Sequence, residues 1–165
     1  MFNCQQILQS QFFLRPLISR LSKRRIVTQF IIYTSLIILI SCFFYFLSKI
    51  IPNTIILKND FEFSSLREKI FIVVLFAPLI ETLFIQFLII EILYTIFPRQ
   101  IFLACLISST IFSLNHLFSI LYILSTFLGG FILAIAFFSS GKGWRVFMLV
   151  FCIHSFYNFF VLISM

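Results

Sequence analysis

Charge is scarce in this chain. Asp, Glu, Lys and Arg make up 10% of its 165 residues, and only five residues are acidic. Set against 62% hydrophobic residues and a mean hydropathy of +1.16, that scarcity excludes an ordinary soluble domain and points to a helical membrane protein. The length suggests one domain. No single basic patch accounts for the net charge of +7, so nucleic acid is not an expected partner. Instead Arg15, Arg20, Lys23, Arg24 and Arg25 immediately precede the first long apolar segment. This is a positive-inside signal for a cytoplasmic N-terminus, and the same residues form a collar for anionic membrane lipids.

Other signals are missing too. There is no C-x-x-C: Cys4, Cys42, Cys105 and Cys152 are far apart, three of them in apolar runs, and read as small buried hydrophobes that reveal no redox compartment. No H-E-x-x-H, internal repeat or low-complexity linker is present. The first apolar run is too long for a cleavable signal peptide and lacks a small-residue cleavage site. Ala and Gly are rare, four each beside 26 Phe, a bias of AT-rich coding. The expected location is a multi-pass protein of a bacterial plasma membrane or an organellar (plastid) membrane.

What is present is a series of apolar runs. Residues 1–25 mix apolar and basic positions and suggest an amphipathic segment on the membrane surface. Residues 26–69 supply a first span, Ile26 to Ile51, and a polar loop from Pro52 to Lys69. Residues 70–165 form a four-helix membrane core. It begins with a second span from Ile70 to Phe97, closed by Pro98-Arg99-Gln100, in which Pro78 could kink the helix. Residues 101–140 have no strong break, and one helix of that length would be ~60 Å, twice the hydrocarbon core, so two spans are expected there. The polar cluster at Asn115, His116 and Ser119 is the best place to turn. Gly129-Gly130 would let the fourth span pack closely, Trp144 would anchor an interface, and Val146 to Ile163 is the fifth span. The fold class is all-α: a polytopic transmembrane bundle of about five spans.

Within these runs the ionisable residues stand out. Glu81 is a carboxylate deep in the second span, where it costs ~2.5–3.5 kcal/mol on insertion scales and so usually marks function. The only two histidines, His116 and His154, also lie in apolar runs. Counting ~1.5 Å per residue from the span ends puts Glu81, His116 and His154 at depths of ~16, ~8 and ~18 Å, close enough to meet. His154 and Asn158 share a helix face at i, i+4, as do Thr82 and Gln86, while Ser109, Ser113 and His116 follow one another on the third span. Taken singly, a membrane His or Asn is as well explained by an interhelical hydrogen bond. Glu91, ten residues or about 280° beyond Glu81, faces elsewhere.

Three motifs in order, Ala77-Pro-Leu-Ile-Glu81 extending to Gln86, Phe112-Ser-Leu-Asn-His116 and His154-Ser-Phe-Tyr-Asn158, resemble those of the CPBP family of intramembrane proteases, the CAAX-prenyl-protease-like and bacteriocin-processing (Abi-like) proteins. The resemblance spans Ala77 to Asn158. It implies peptide-bond hydrolysis within the membrane. Glu81 would activate water, His116 would assist, and His154 and Asn158 would stabilise the oxyanion. The substrate would be a peptide or protein, lipidated or not. A desolvated carboxylate is a stronger base near neutral pH, and donors aimed at an oxyanion in a water-poor site contribute several kcal/mol. Glu81, His116 and His154 are also a candidate ligand set for a divalent metal such as zinc, and the metal question stays open.

The sequence departs from the family's E-E-x-x-x-R at two positions, with Thr82 for the second Glu and Gln86 for the Arg. Replacing both members of a buried ion pair together can be nearly neutral, whereas losing one strands a charge. Two alternatives therefore stand beside the endopeptidase. One is a catalytically inactive relative acting as a membrane assembly or partner-binding factor. The other is a proton or ion pathway, which five spans without a repeat disfavour.

Overall fold

A computed structural model describes residues 14–51, 63, 65–141 and 143–164. Five apolar helices follow one another: α1 (Ile26–Ile50), α2 (Leu66–Ile96), α3 (Ile101–Leu114), α4 (Ile120–Ser139) and α5 (Trp144–Ser164). Residues 14–22 add a short helix ahead of them, and no strand occurs among the described residues. The fold is an all-α bundle. Of the expected N-terminal amphipathic segment, residues 1–13 lie outside the described residues, as do 52–62 and 64 of the polar loop.

Four of the five helices are long and apolar enough to cross a membrane, and α3 is the shorter one. Its 14 residues make ~21 Å, about 9 Å less than a ~30 Å hydrocarbon core. The turn after it, which carries His116, thus falls short of the far face of the core. The chain turns at residues 115–119, the polar cluster that the sequence marks. Serine caps set two of the boundaries. The Ser119 hydroxyl accepts from the Tyr122 amide at 3.2 Å and starts α4. The Ser65 hydroxyl accepts from the Glu68 amide at 3.2 Å, so α2 begins at Leu66, four residues before the expected start at Ile70.

α4 is the centre of the bundle. It touches the other four apolar helices, and 56% of its most apolar 18 residues are buried, against 33% or less in the other three long helices. Small residues make this possible: Gly129, Gly130, Ala134 and Ala136 are all buried on it. Tyr33, Ile37, Ile90, Phe112, Leu133, Val150 and Ile153 pack around them. α1 is tied to the end of α4 by a Tyr33–Ser139 hydroxyl hydrogen bond and by Ser140 Oγ donating to Gln29 Oε1 at 2.8 Å. Gly141 and Gly143 then turn the chain at φ of 105° and 80°, values that side-chain-bearing residues rarely adopt.

The cysteines only partly match their expected burial. Cys105 is in the core, but Cys42 and Cys152 are exposed on the bundle surface, which in a membrane protein is a place for apolar side chains. Cys4 lies outside the described residues.

Candidate active site

The site begins with an irregularity in α2. Residues Phe71–Phe76 and Thr82–Leu88 are wound as π-helix, and one regular α turn, Ala77–Glu81, separates them. In the first π segment the Ala77 amide bonds back five residues to the Ile72 carbonyl. The next amide in that register would serve Val73, but residue 78 is proline and has no N–H. The Val73 carbonyl is served from α5 instead: Asn158 Nδ2 donates to it at 2.9 Å. Such wide turns are often found at functional sites, and this pair frames Glu81.

The structure brings Glu81, His116 and His154 together. Glu81 Oε1 lies 3.8 Å from His116 Nε2, and Oε2 lies 3.4 Å from His154 Nε2. Both imidazoles thus turn the same ring nitrogen toward the one carboxylate. His154 is 3% exposed, His116 15% and Glu81 21%, so the cluster is enclosed on the α5 side and accessible at the carboxylate. Glu81 Oε2 has no aligned hydrogen-bond donor despite its neighbour at 3.4 Å.

The far nitrogens of the two rings are held differently. His116 Nδ1 is 2.8 Å from the Phe112 carbonyl, which can only accept, so Nδ1 carries the proton and the Nε2 of a neutral ring is a lone pair. His154 Nδ1 is 3.5 Å from the Thr82 hydroxyl. The Phe112 ring packs against both imidazoles, with its centroid 4.7 Å from that of His116 and 5.4 Å from that of His154. Gly130 backs Phe112 so closely that a Cβ there would come within 3.0 Å of the ring.

Thr82 and Gln86 are fully buried but do not pair with each other. Gln86 Nε2 reaches the Gly130 carbonyl at 3.4 Å, and Ser108 Oγ lies 3.3 Å from Gln86 Oε1 and donates to the Ile85 carbonyl at 2.9 Å. Ser108 is therefore the α3 serine that faces α2. Ser109 and Ser113, which the spacing to His116 favours, spend their hydroxyls on the carbonyls of Cys105 and Thr110 in their own helix. Phe112 is visible in the sequence as the residue four before His116. The role of Val73 leaves no sequence signal, because it acts through its backbone. Glu91, ten residues beyond Glu81 on α2, takes no part in this cluster.

Two cavities approach the site from the end of the bundle where α1 and α5 finish and α4 begins. The larger, about 290 Å³, has no charged side chain in its lining. The smaller, about 30 Å³ and so about the share of one water in the liquid (~30 Å³), is lined by His116, His154 and Asn158. Ser41, Tyr122, Ser125 and Tyr157 border both, and a 2.7 Å hydrogen bond between Ser41 Oγ and Tyr157 Oη crosses between α1 and α5 at this neck.

The three donors do not make a metal site as they are arranged. Among the described residues, no group of three His, Cys, Asp or Glu side chains is placed to hold an ion.

The chain matches no curated protein and no solved structure. It does match the family model of Rce1-like, type II CAAX prenyl endopeptidases over residues 64–160, more than half of its length, from just before α2 into the last turn-pair of α5. That stretch holds Glu81, His116, His154 and Asn158. The chain belongs to the Rce1-like family of type II CAAX prenyl endopeptidases, a family of membrane proteases.

Proposed function

We propose that the chain is an intramembrane endopeptidase that hydrolyses a peptide bond with a water activated by Glu81. The observation that carries this reading is one carboxylate facing two imidazole Nε2 atoms at 3.8 and 3.4 Å inside an apolar bundle. A water held between Glu81 and the His116 Nε2 lone pair loses a proton to Glu81 as it attacks the substrate carbonyl. His154, with Thr82 donating to its Nδ1, keeps its own proton on Nε2 and offers it to the oxyanion, and Asn158, one of whose two Nδ2 protons goes to the Val73 carbonyl, offers the other. The protonated Glu81 then returns the proton to the leaving amine, so the proton count closes.

Residues 70–165 are the catalytic core in this reading, with 26–69 adding the first span and its loop and 1–25 a basic segment at the lipid surface. The substrate is a membrane-associated peptide or protein whose uncharged, lipidated or unlipidated segment enters through the larger cavity. The alternative is an inactive relative serving as an assembly or partner-binding factor, and the neutral Thr82 and Gln86 favour it.

Purified protein in liposomes, incubated with a pool of prenylated and unprenylated peptides in ¹⁸O-labelled water, tests the reading. Hydrolysis places one ¹⁸O in each new carboxyl terminus, and Glu81→Gln abolishes it. Cleavage unchanged in Glu81→Gln, or none in any wild-type preparation, contradicts it.

A further inference from the structure

We propose that Asn158 is a positioning residue: it holds α2 in its wide-turn register, and that register aims Glu81 at the two histidines. Three observations join. The Ala77 amide is committed to the Ile72 carbonyl, five residues back. The amide due to serve Val73 is absent because residue 78 is proline. Asn158 Nδ2 supplies the missing donor at 2.9 Å from across the helix pair. Buried carbonyls are nearly always satisfied, and here the donor comes from another helix.

Without that donor α2 has a simple way out. The Ala77 amide can shift to Val73, four residues back, which removes the wide turn. One residue fewer in the turn rotates everything beyond it by about 100° relative to the start of the helix. Glu81 would then leave His116 and His154. Asn158 lies one turn beyond His154 on α5, so α5 grips α2 at two places, the Val73 carbonyl and the Glu81 carboxylate. The tie itself does not depend on proteolysis; its bearing on activity rests on Glu81 being the reacting carboxylate.

The same geometry provides the test, because Pro78→Ala restores a backbone donor for Val73. The full chain is compared in four forms: wild type, Pro78→Ala, Asn158→Ala and the double variant. The probe is dicyclohexylcarbodiimide, which labels carboxyl groups in apolar surroundings. Labelling of Glu81 is measured by mass spectrometry across a range of pH, with Glu91 on the same helix as internal reference. Asn158→Ala is expected to change the Glu81-to-Glu91 ratio about tenfold and to move its pH profile, the effect of losing one buried hydrogen bond and the register it holds. In the Pro78→Ala background the same substitution is expected to change the ratio by no more than about twofold, the mark of two residues acting on one carbonyl.

An equal change in both backgrounds, or no change in either, overturns the proposal. If Asn158→Ala alone does not accumulate, accumulation becomes the readout: recovery in the double variant supports the tie, and continued absence overturns it. Labelling needs no substrate, so a failure of the protease reading would show separately, as cleavage that ignores Glu81.

Discussion

The Thr82 hydroxyl stands 3.5 Å from His154 Nδ1, the ring nitrogen away from Glu81. A hydroxyl can donate or accept, so the contact suits either tautomer, and with Thr82 as donor His154 presents its Nε2 proton to the carboxylate. Thr82 replaces the second glutamate of the related motif, and it does so with a group able to donate.

Thr82→Val keeps the shape and removes the donor. Cleavage is expected to fall about tenfold, corresponding to roughly 1.4 kcal/mol and in line with losing one buried hydrogen bond, while Thr82→Ser retains most activity. The drop should be in kcat more than in KM, because the affected proton serves the transition state. Equal activity of the valine and serine variants would remove Thr82 from the mechanism.

Gly130 and Gly129 are adjacent, yet they are expected to respond differently to alanine. A Cβ on Gly130 meets Phe112 Cδ1, Cγ and Cβ at 3.0, 3.2 and 3.3 Å, whereas one on Gly129 meets only Ile37 Cγ2 at 3.7 Å. Phe112 must move in Gly130→Ala, and both imidazoles rest on its ring. Overpacking of this kind costs about 1–3 kcal/mol. Gly130→Ala should lower both the melting temperature in detergent and the cleavage rate, and Gly129→Ala should leave both near wild type. Matching behaviour of the two variants would contradict the packing described for Phe112.

The neutral pair Thr82 and Gln86 can be restored to its charged form. Gln86 is fully buried between the Gly130 carbonyl and Ser108, so Gln86→Arg alone places an unpaired charge in the interior. A stranded buried charge costs about 3–5 kcal/mol, and the variant should be poorly stable. Because Thr82 faces His154 and Gln86 faces Gly130, Thr82→Glu together with Gln86→Arg should regain little of that loss. Stability of the double variant near wild type would show that the two positions pair after all.

The parts legible in the sequence are those that hydropathy alone betrays. Glu81, His116 and His154 stand out because ionisable residues are rare in apolar runs, and counting residues from the span ends sufficed to bring them near one another. The five helices were legible for the same reason. Helical periodicity then failed in two particular places. It put Thr82 and Gln86 on one face and suggested that they belong together, but each bonds a different helix, Thr82 to His154 on α5 and Gln86 to the Gly130 carbonyl on α4. It favoured Ser109 and Ser113 over Ser108, because spacing cannot tell a hydroxyl that bonds its own helix from one that reaches across.

The end of α3 was legible only through its polar residues. Hydropathy does not change through Leu114, and it is the Asn115–Ser119 turn and the Ser119 cap that end one helix and begin the next. The Val73–Asn158 bond is the extreme case: one partner is a backbone carbonyl, whose need arises from a proline five residues later.

The most direct measurement compares protein N-termini in cells carrying wild type or Glu81→Gln at equal membrane abundance. The Glu81 reading predicts a set of new termini in or beside membrane segments that disappears entirely with Glu81→Gln. Identical termini in both, with a defect that arises only when the whole protein is removed, would contradict it and leave the assembly factor.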